Sequence, residues 1–174
     1  PYTYDTDTQF MQRRSEMRVM VISDTHRHFR TLRMIVEKHR EEAGLFLHLG
    51  DGEREVDDLM ALYPDLPLEM VRGNCDFASM LPSSRVAIAG GVRIFMTHGH
   101  NFGVKASLGP LVAAARENGC RIALYGHTHK GDTHYDEGIY VMNPGSPSQP
   151  RDGKATYGVI DITEGGIMPF LVEI

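Results

Sequence analysis

This chain of 174 residues predicts an α/β fold of two packed β-sheets flanked by helices, on three observations. Its first half alternates short apolar runs with amphipathic stretches, the pattern of βα units that build a parallel sheet. Its second half carries a two-glycine hairpin and several apolar runs separated by turn residues, which suits strands paired directly with one another. No internal repeat and no Pro-, Gly- or Ser-rich linker divides the chain, and its length suits one domain of ~100–200 residues.

The elements follow in order. Residues 1–16 have no apolar periodicity and read as an N-terminal leader, native or added, so the domain is expected over 17–174. Arg18–Ser23 (RVMVIS) is an apolar, β-branched run that suits a strand buried on both faces. Thr31–Arg40 places Leu32, Ile35 and Val36 on one side and charges on the other, which predicts a helix. Leu45–Leu49 is a second buried strand, Glu55–Leu62 a second helix and Leu68–Val71 a third strand. Arg85–Ala89 and Val92–Thr97 flank Gly90-Gly91, a hairpin signal. Lys105–Asn118 reads as a helix ending at Gly119, with Pro110 either kinking it or marking its true first turn. Arg121–Tyr125 is another short strand, and Ile139–Met142, Thr156–Ile162 and Ile167–Val172 are expected to be antiparallel.

Composition narrows the class. Eighteen Lys and Arg against twenty-three Asp and Glu give a net charge of −5, and no basic run stands out. Extended nucleic-acid binding is therefore not expected, whereas a local cationic pocket for a small anion is compatible. Two cysteines, Cys75 and Cys120, give no disulfide framework and favour a reducing compartment. No segment reaches the ~18 apolar residues of a membrane span, and the polar N-terminus lacks a secretory core, so a cytoplasmic protein is expected. Exposed strand edges make a homodimer or homotetramer the candidate assembly. Nine histidines in a chain without tryptophan are the unusual feature.

Five polar clusters share one address, each directly after an expected strand. They are Asp24-Thr25-His26, Gly50-Asp51-Gly52, Gly73-Asn74-Cys75-Asp76, His98-Gly99-His100 and Gly126-His127-Thr128-His129. Ligands of α/β sheets gather beyond the carboxyl ends of strands, so these loops are expected to converge. Carboxylate, amide and imidazole donors in one pocket suit Mn²⁺, Fe²⁺, Zn²⁺ or Ni²⁺ rather than Ca²⁺ or a thiolate-bound structural zinc. Asp24, His26, Asp51, Asn74, His98, His127 and His129 are too many for one tetrahedral ion and suit two ions sharing a carboxylate.

The ordered series D-x-H, G-D-G, G-N-C-D, H-G-H and G-H-T-H resembles the calcineurin-like metallophosphoesterases. More narrowly, it is similar to their small, single-domain, YfcE-like phosphodiesterase branch. The likeness runs from Arg18 to near the C-terminus and includes Asn143-Pro144-Gly145-Ser146 as a late loop. It implies a four-layer αββα sandwich of two mixed sheets flanked by helices. It also implies two divalent metal ions per chain, Mn²⁺ first, with Fe, Zn, Ni or Mg as alternatives. By motif, Asp24, His26 and His129 hold the first ion, Asn74, His98 and His127 the second, and Asp51 bridges them. Asp51, Asn74, His98 and His100 form the expected catalytic set. Arg27, Cys75 and His100 are the expected substrate contacts. Many relatives carry a leaving-group histidine where Cys75 stands.

The implied activity is hydrolysis of a small phosphodiester or nucleotide-like substrate by a hydroxide bridging the metals. Two dications offset by two carboxylates and that hydroxide leave a net charge of about +1 for an anionic substrate. A phosphomonoesterase with the same site and a catalytically weak, protein-binding scaffold of this fold are the alternatives.

The remaining polar residues carry plainer readings. His39 is expected to be a solvated helix residue, His48 a core histidine hydrogen-bonded beneath the site, and His134 a surface strand residue. Asp76 braces the Asn74 loop, Cys120 is an inert buried residue, and Asn143–Pro150 is a turn-rich connection near the metals.

Overall fold

The structure, a computed structural model, describes residues 16–174; all but the last of the sixteen expected leader residues lie outside the described residues. β1 (Met17–Ile22), β2 (Ala43–His48) and β3 (Leu68–Met70) run parallel, linked by α1 (Phe29–His39) and α2 (Glu53–Leu62). β9 (Thr156–Thr163) pairs antiparallel with β1, and β10 (Gly166–Glu173) with β9, giving a five-stranded sheet of order β10-β9-β1-β2-β3. The second sheet has order β4-β5-β6-β8-β7, from β4 (Ser84–Ala89), β5 (Val92–Thr97), β6 (Ile122–Leu124), β7 (Gly131–Asp136) and β8 (Ile139–Pro144). α3 (Gly109–Glu117) lies between β5 and β6 in sequence.

The apolar runs explain the layering. Alternate residues of β1 face opposite ways: Val19 and Val21 enter the core between the sheets, while Met20 and Ile22 pack against Leu32, Ile35 and Val36 of α1. On the far side, Phe95, Ala123 and Val141 of the second sheet meet Leu111, Val112 and Ala115 of α3. The result is helices, sheet, sheet and helix, the expected four-layer sandwich. Gly90 and Gly91 have φ of 53° and 76°, as a two-residue hairpin turn requires, and Ala89 faces Val92 across it.

Three expectations change. α3 starts at Gly109 and not at Lys105; Pro110 stands in its first turn, the second of the two expected alternatives, where its missing N–H costs nothing. β8 lies in the other sheet from β9 and β10 and runs parallel to β6; it is antiparallel only to β7. His39 is buried at 7 % exposure, its ring held between Tyr157 Oη at 2.8 Å and Glu42 Oε1 at 2.6 Å. Its place at the end of α1, against β9, gives it partners that helix periodicity does not reveal. Among the described residues no helix is long and apolar enough to cross a membrane.

Candidate metal centre

The loops that follow β1, β2, β3, β5 and β6 meet where the carboxyl edges of the two sheets come together. His129 Nε2 lies 3.1 Å from Asp24 Oδ1 and 3.1 Å from His26 Nε2. His98 Nε2 lies 3.3 Å from Asp51 Oδ2, 3.8 Å from Asp24 Oδ1 and 3.0 Å from Asn74 Oδ1. His26 Nε2 stands 3.8 Å from Asp51 Oδ2. The groups Asp24–His26–His129 and Asp24–Asp51–His98 each keep one donor atom per residue within 4.8 Å of the others. The His127 ring lies 5.1 Å from that of His98, and His100 is 5.5 Å from His98 and 6.1 Å from His127, centroid to centroid. Six of the seven expected ligand residues thus bring a donor atom within 4 Å of another, while His127 and His100 are placed by their rings, beside that of His98.

The backbone is strained where these donors sit. Seven described non-glycine residues have positive φ, and Asp24, His26, Arg27, Asp51, His127 and His129 are six of them. Such conformations cost on the order of 1–3 kcal/mol each and persist where surrounding structure fixes them. Here they turn alternate side chains of D-x-H and H-T-H inward. Gly73 is dictated by close approach, since a Cβ there would collide with the Asp51 carboxylate.

Hydrogen bonds behind the donors decide what the centre can hold. The Nδ1–H of His129 donates to the Gln149 carbonyl at 2.7 Å, and that of His98 to the Leu49 carbonyl at 2.8 Å. Both rings therefore turn an Nε2 lone pair inward, toward carboxylate and amide oxygens. Asp24 Oδ2 accepts from the Ser23 hydroxyl at 2.7 Å and the His127 N–H at 3.0 Å, yet buried Asp24 Oδ1 has no hydrogen-bond partner. Acceptors facing acceptors in a buried site repel one another unless a cation sits between them, so the donor set fits divalent metal.

The carboxylates favour positive charge opposite them. Burial would raise the Asp24 pKa, but the facing imidazoles of His129 and His26, with His98 nearby, hold it well below the usual carboxylate range. Asp51 is likewise lowered, against its burial, chiefly by His98. Asp24 and Asp51 in turn raise His26 and His98 against their burial. Burial, helped by His98 and Lys105, pushes His127 down to about 4, so its ring is neutral and free to ligate. Burial and the Asp51 carboxylate push the Cys75 thiol up to about 11. Arg27 is exposed and lines the same cleft as His26, Asp51 and Cys75.

The residues that organise the centre include Asp76 and His48, both expected in supporting roles, together with Glu55 and Gln149, which carry no signature in the sequence. Asp76 accepts four backbone N–H groups, from Asp51 and Gly73 at 2.8 Å, Glu53 at 3.0 Å and Gly52 at 3.1 Å. It ties the Asn74 loop to the Asp51 loop and caps α2, whose own N-cap is Gly52; the expected brace is thus also a helix cap. His48 accepts the Gly50 N–H at Nδ1, so Nε2–H donates to Thr25 Oγ1 at 3.1 Å, and the Thr25 hydroxyl donates to buried Glu55. Glu55 also takes the Arg27 N–H at 2.8 Å. The late loop is a further brace: Ser146 Oγ donates to the Asp24 carbonyl, Ser148 Oγ to the Thr25 carbonyl and Asn143 Nδ2 to the Gly126 carbonyl. Only contacts between loops distant in sequence assign these roles.

A four-layer sandwich with an imidazole–carboxylate cage at the joined sheet edges defines a metal-binding hydrolase fold. The family model for the calcineurin-like phosphoesterase superfamily domain matches residues 17–165, and the chain belongs to that superfamily. It is 36 % identical over 136 residues to the probable metallophosphoesterase YsnB of Bacillus subtilis, covering 78 % of each chain. It is 36 % identical over 101 residues to the phosphodiesterase YfcE of Escherichia coli, covering 52 % of this chain and 50 % of that one. Among solved structures, a predicted phosphoesterase from Streptococcus pneumoniae superposes with a TM-score of 0.76 at 25 % identity, over 91 % of this chain and 99 % of that one. Vacuolar Protein Sorting 29 from Cryptosporidium parvum superposes with a TM-score of 0.71 at 18 % identity, over 91 % and 98 % of the two chains, and shares the fold.

Proposed function

We propose that the chain hydrolyses small phosphodiesters at a centre of two divalent metal ions, Mn²⁺ first among them. Asp24, His26 and His129 would hold one ion, Asn74, His98 and His127 the other, with Asp51 shared. When bound, such a pair supplies Lewis-acid charge for the phosphoryl oxygens and an acidified water. The chain's own groups do the rest. Gln149 and Leu49 carbonyls keep the His129 and His98 lone pairs aimed inward. His100, whose ring lies 5.5 Å from that of His98, would hydrogen-bond a phosphoryl oxygen. Arg27 and Cys75, which line the same cleft as Asp51, would contact the anionic substrate.

The observation that carries this reading is the set of inward-facing acceptors around Asp24 and Asp51. It favours hydrolysis over the scaffold role, because a scaffold has no need of four histidines converging on buried carboxylates; the fold alone does not decide. The test is a panel of phosphomonoesters and phosphodiesters with Mn²⁺ added. The wild type is expected to hydrolyse bis-p-nitrophenyl phosphate faster than p-nitrophenyl phosphate, and Asp51→Asn to lose at least a hundredfold while also losing bound metal. Normal turnover by Asp51→Asn contradicts the proposal, and a preference for the monoester replaces it with a phosphomonoesterase.

A further inference from the structure

Phe77 follows Asp76 and is 90 % exposed, and Met80 on the same loop is 97 % exposed. Single exposed apolar residues are ordinary. Phe77 differs because of where it is held. Arg72 N–H donates to the Pro82 carbonyl at 3.0 Å and closes the loop at its base. Asp76 anchors it to the start of α2 through three backbone bonds and braces it internally through a fourth, to Gly73. The ring is therefore carried by a pinned backbone. With Ala78 it is an apolar lining residue of a cleft of about 750 Å³ that His26, Asp51 and Cys75 also line. That volume is far more than a phosphoryl group needs and is of the size that accepts a small organic ligand.

We propose that Phe77 is the platform on which a flat, ring-bearing leaving group of the substrate rests. The inference builds on the phosphodiesterase reading and names the leaving-group class that reading leaves open. Asp51, Cys75, Asp76 and Phe77 line one cleft, so a leaving group on a phosphorus held beside Asp51 would have the Phe77 ring within the same space. An aromatic leaving group gains face-to-face or edge contact with Phe77 and sheds water from both surfaces. An alkyl group too short to reach Phe77 gains neither. Phe77 thus acts on specificity through binding, while the residues around Asp51 serve every phosphodiester alike.

The test compares phenylphosphonate with methylphosphonate by calorimetry on Mn²⁺-loaded wild type, Phe77→Ala and Phe77→Tyr. In parallel, KM and kcat are measured for 4-nitrophenyl methyl phosphate. Because Phe77 is exposed, Phe77→Ala is expected to keep the wild-type melting temperature. It should bind phenylphosphonate about five- to tenfold more weakly, bind methylphosphonate within twofold of wild type, and raise KM with kcat nearly unchanged. Phe77→Tyr should restore the aryl preference. Equal loss for both phosphonates, no loss for either, or no phenylphosphonate binding by the wild type overturns the platform. So does a change in subunit count on size exclusion with the two phosphonates bound alike. A wild type that hydrolyses no phosphodiester yet binds phenylphosphonate through Phe77 overturns the phosphodiesterase reading and retains the aryl subsite.

Discussion

At the scale of single residues, the centre depends on groups that fix other groups. Asp76 is the clearest case. Each of its carboxylate oxygens receives two backbone N–H donors, and these come from both sides of the site: Gly73 on its own loop, and Asp51, Gly52 and Glu53 on the neighbouring one. Asp76→Asn keeps the shape but turns an amide N–H₂ toward two of those donors. A hydrogen bond to a charged group contributes ~1.5–3 kcal/mol, so the variant is expected to lose about 2–3 kcal/mol in urea denaturation. Because Asp51 moves with this anchor, Mn²⁺ affinity should also fall by about tenfold or more. An unchanged urea midpoint would mean that the four bonds are replaceable by water. The same logic explains why Glu55, Ser146 and Gln149 escape a reading of residues in order. A glutamate in the first turn of an amphipathic helix looks like a response to the helix dipole, and only the fold brings Thr25 and the Arg27 N–H to it.

At the scale of elements, the five strand-end clusters were legible because two signals coincide in each. An apolar run too short for a helix gives the strand, and the polar stretch after it, glycine-containing in all but the Asp24-Thr25-His26 cluster, gives a loop at the carboxyl edge. The edge strand β7 (GDTHYD) shows the limit. It buries no side chain, its pattern is polar throughout, and only its pairing with β8 makes it a strand. His39 shows the converse, a polar residue on a helix buried by a strand far along the chain. The strand pairings also carry a pH dependence. Arg18 on β1 and Asp161 on β9 are register partners, joined by two bonds of 2.7 and 2.8 Å. That hydrogen bonding to Arg18 lowers the Asp161 pKa below its ordinary value. The group's contribution is therefore complete above the unfolded-chain value of ~3.9 and is lost as pH falls through the depressed folded value. The pair is partly exposed, so Asp161→Asn is expected to cost about 0.5–1 kcal/mol at pH 7 and a smaller amount at pH 2. Urea midpoints at the two pH values check this; an equal loss at both would assign the effect to packing.

At the scale of the whole molecule, two half-sites become one only because two sheets pack. Asp24, His26, Asp51 and Asn74 arrive on the first sheet, and His98, His127 and His129 on the second. The apolar core between the sheets, from Val19 and Leu47 to Ile94 and Leu124, sets how closely these two groups approach. The net charge of −5 is compatible with an anionic substrate because the cations that the centre is proposed to hold act locally, over a few ångströms, within a fold that otherwise repels phosphate. Which leaving group the cleft accepts was not legible from the motifs, since Phe77 lies just beyond the last residue of one and gains its role from the cleft it lines.

The most direct test of this account is the anomalous-scattering map of a crystal grown with Mn²⁺. Two peaks are expected, one among Asp24, His26 and His129 and one among Asn74, His98 and His127, with the Asp51 carboxylate contacting both. A single peak that leaves His127 and Asn74 without contact, or no peak at full Mn²⁺ loading, would contradict it.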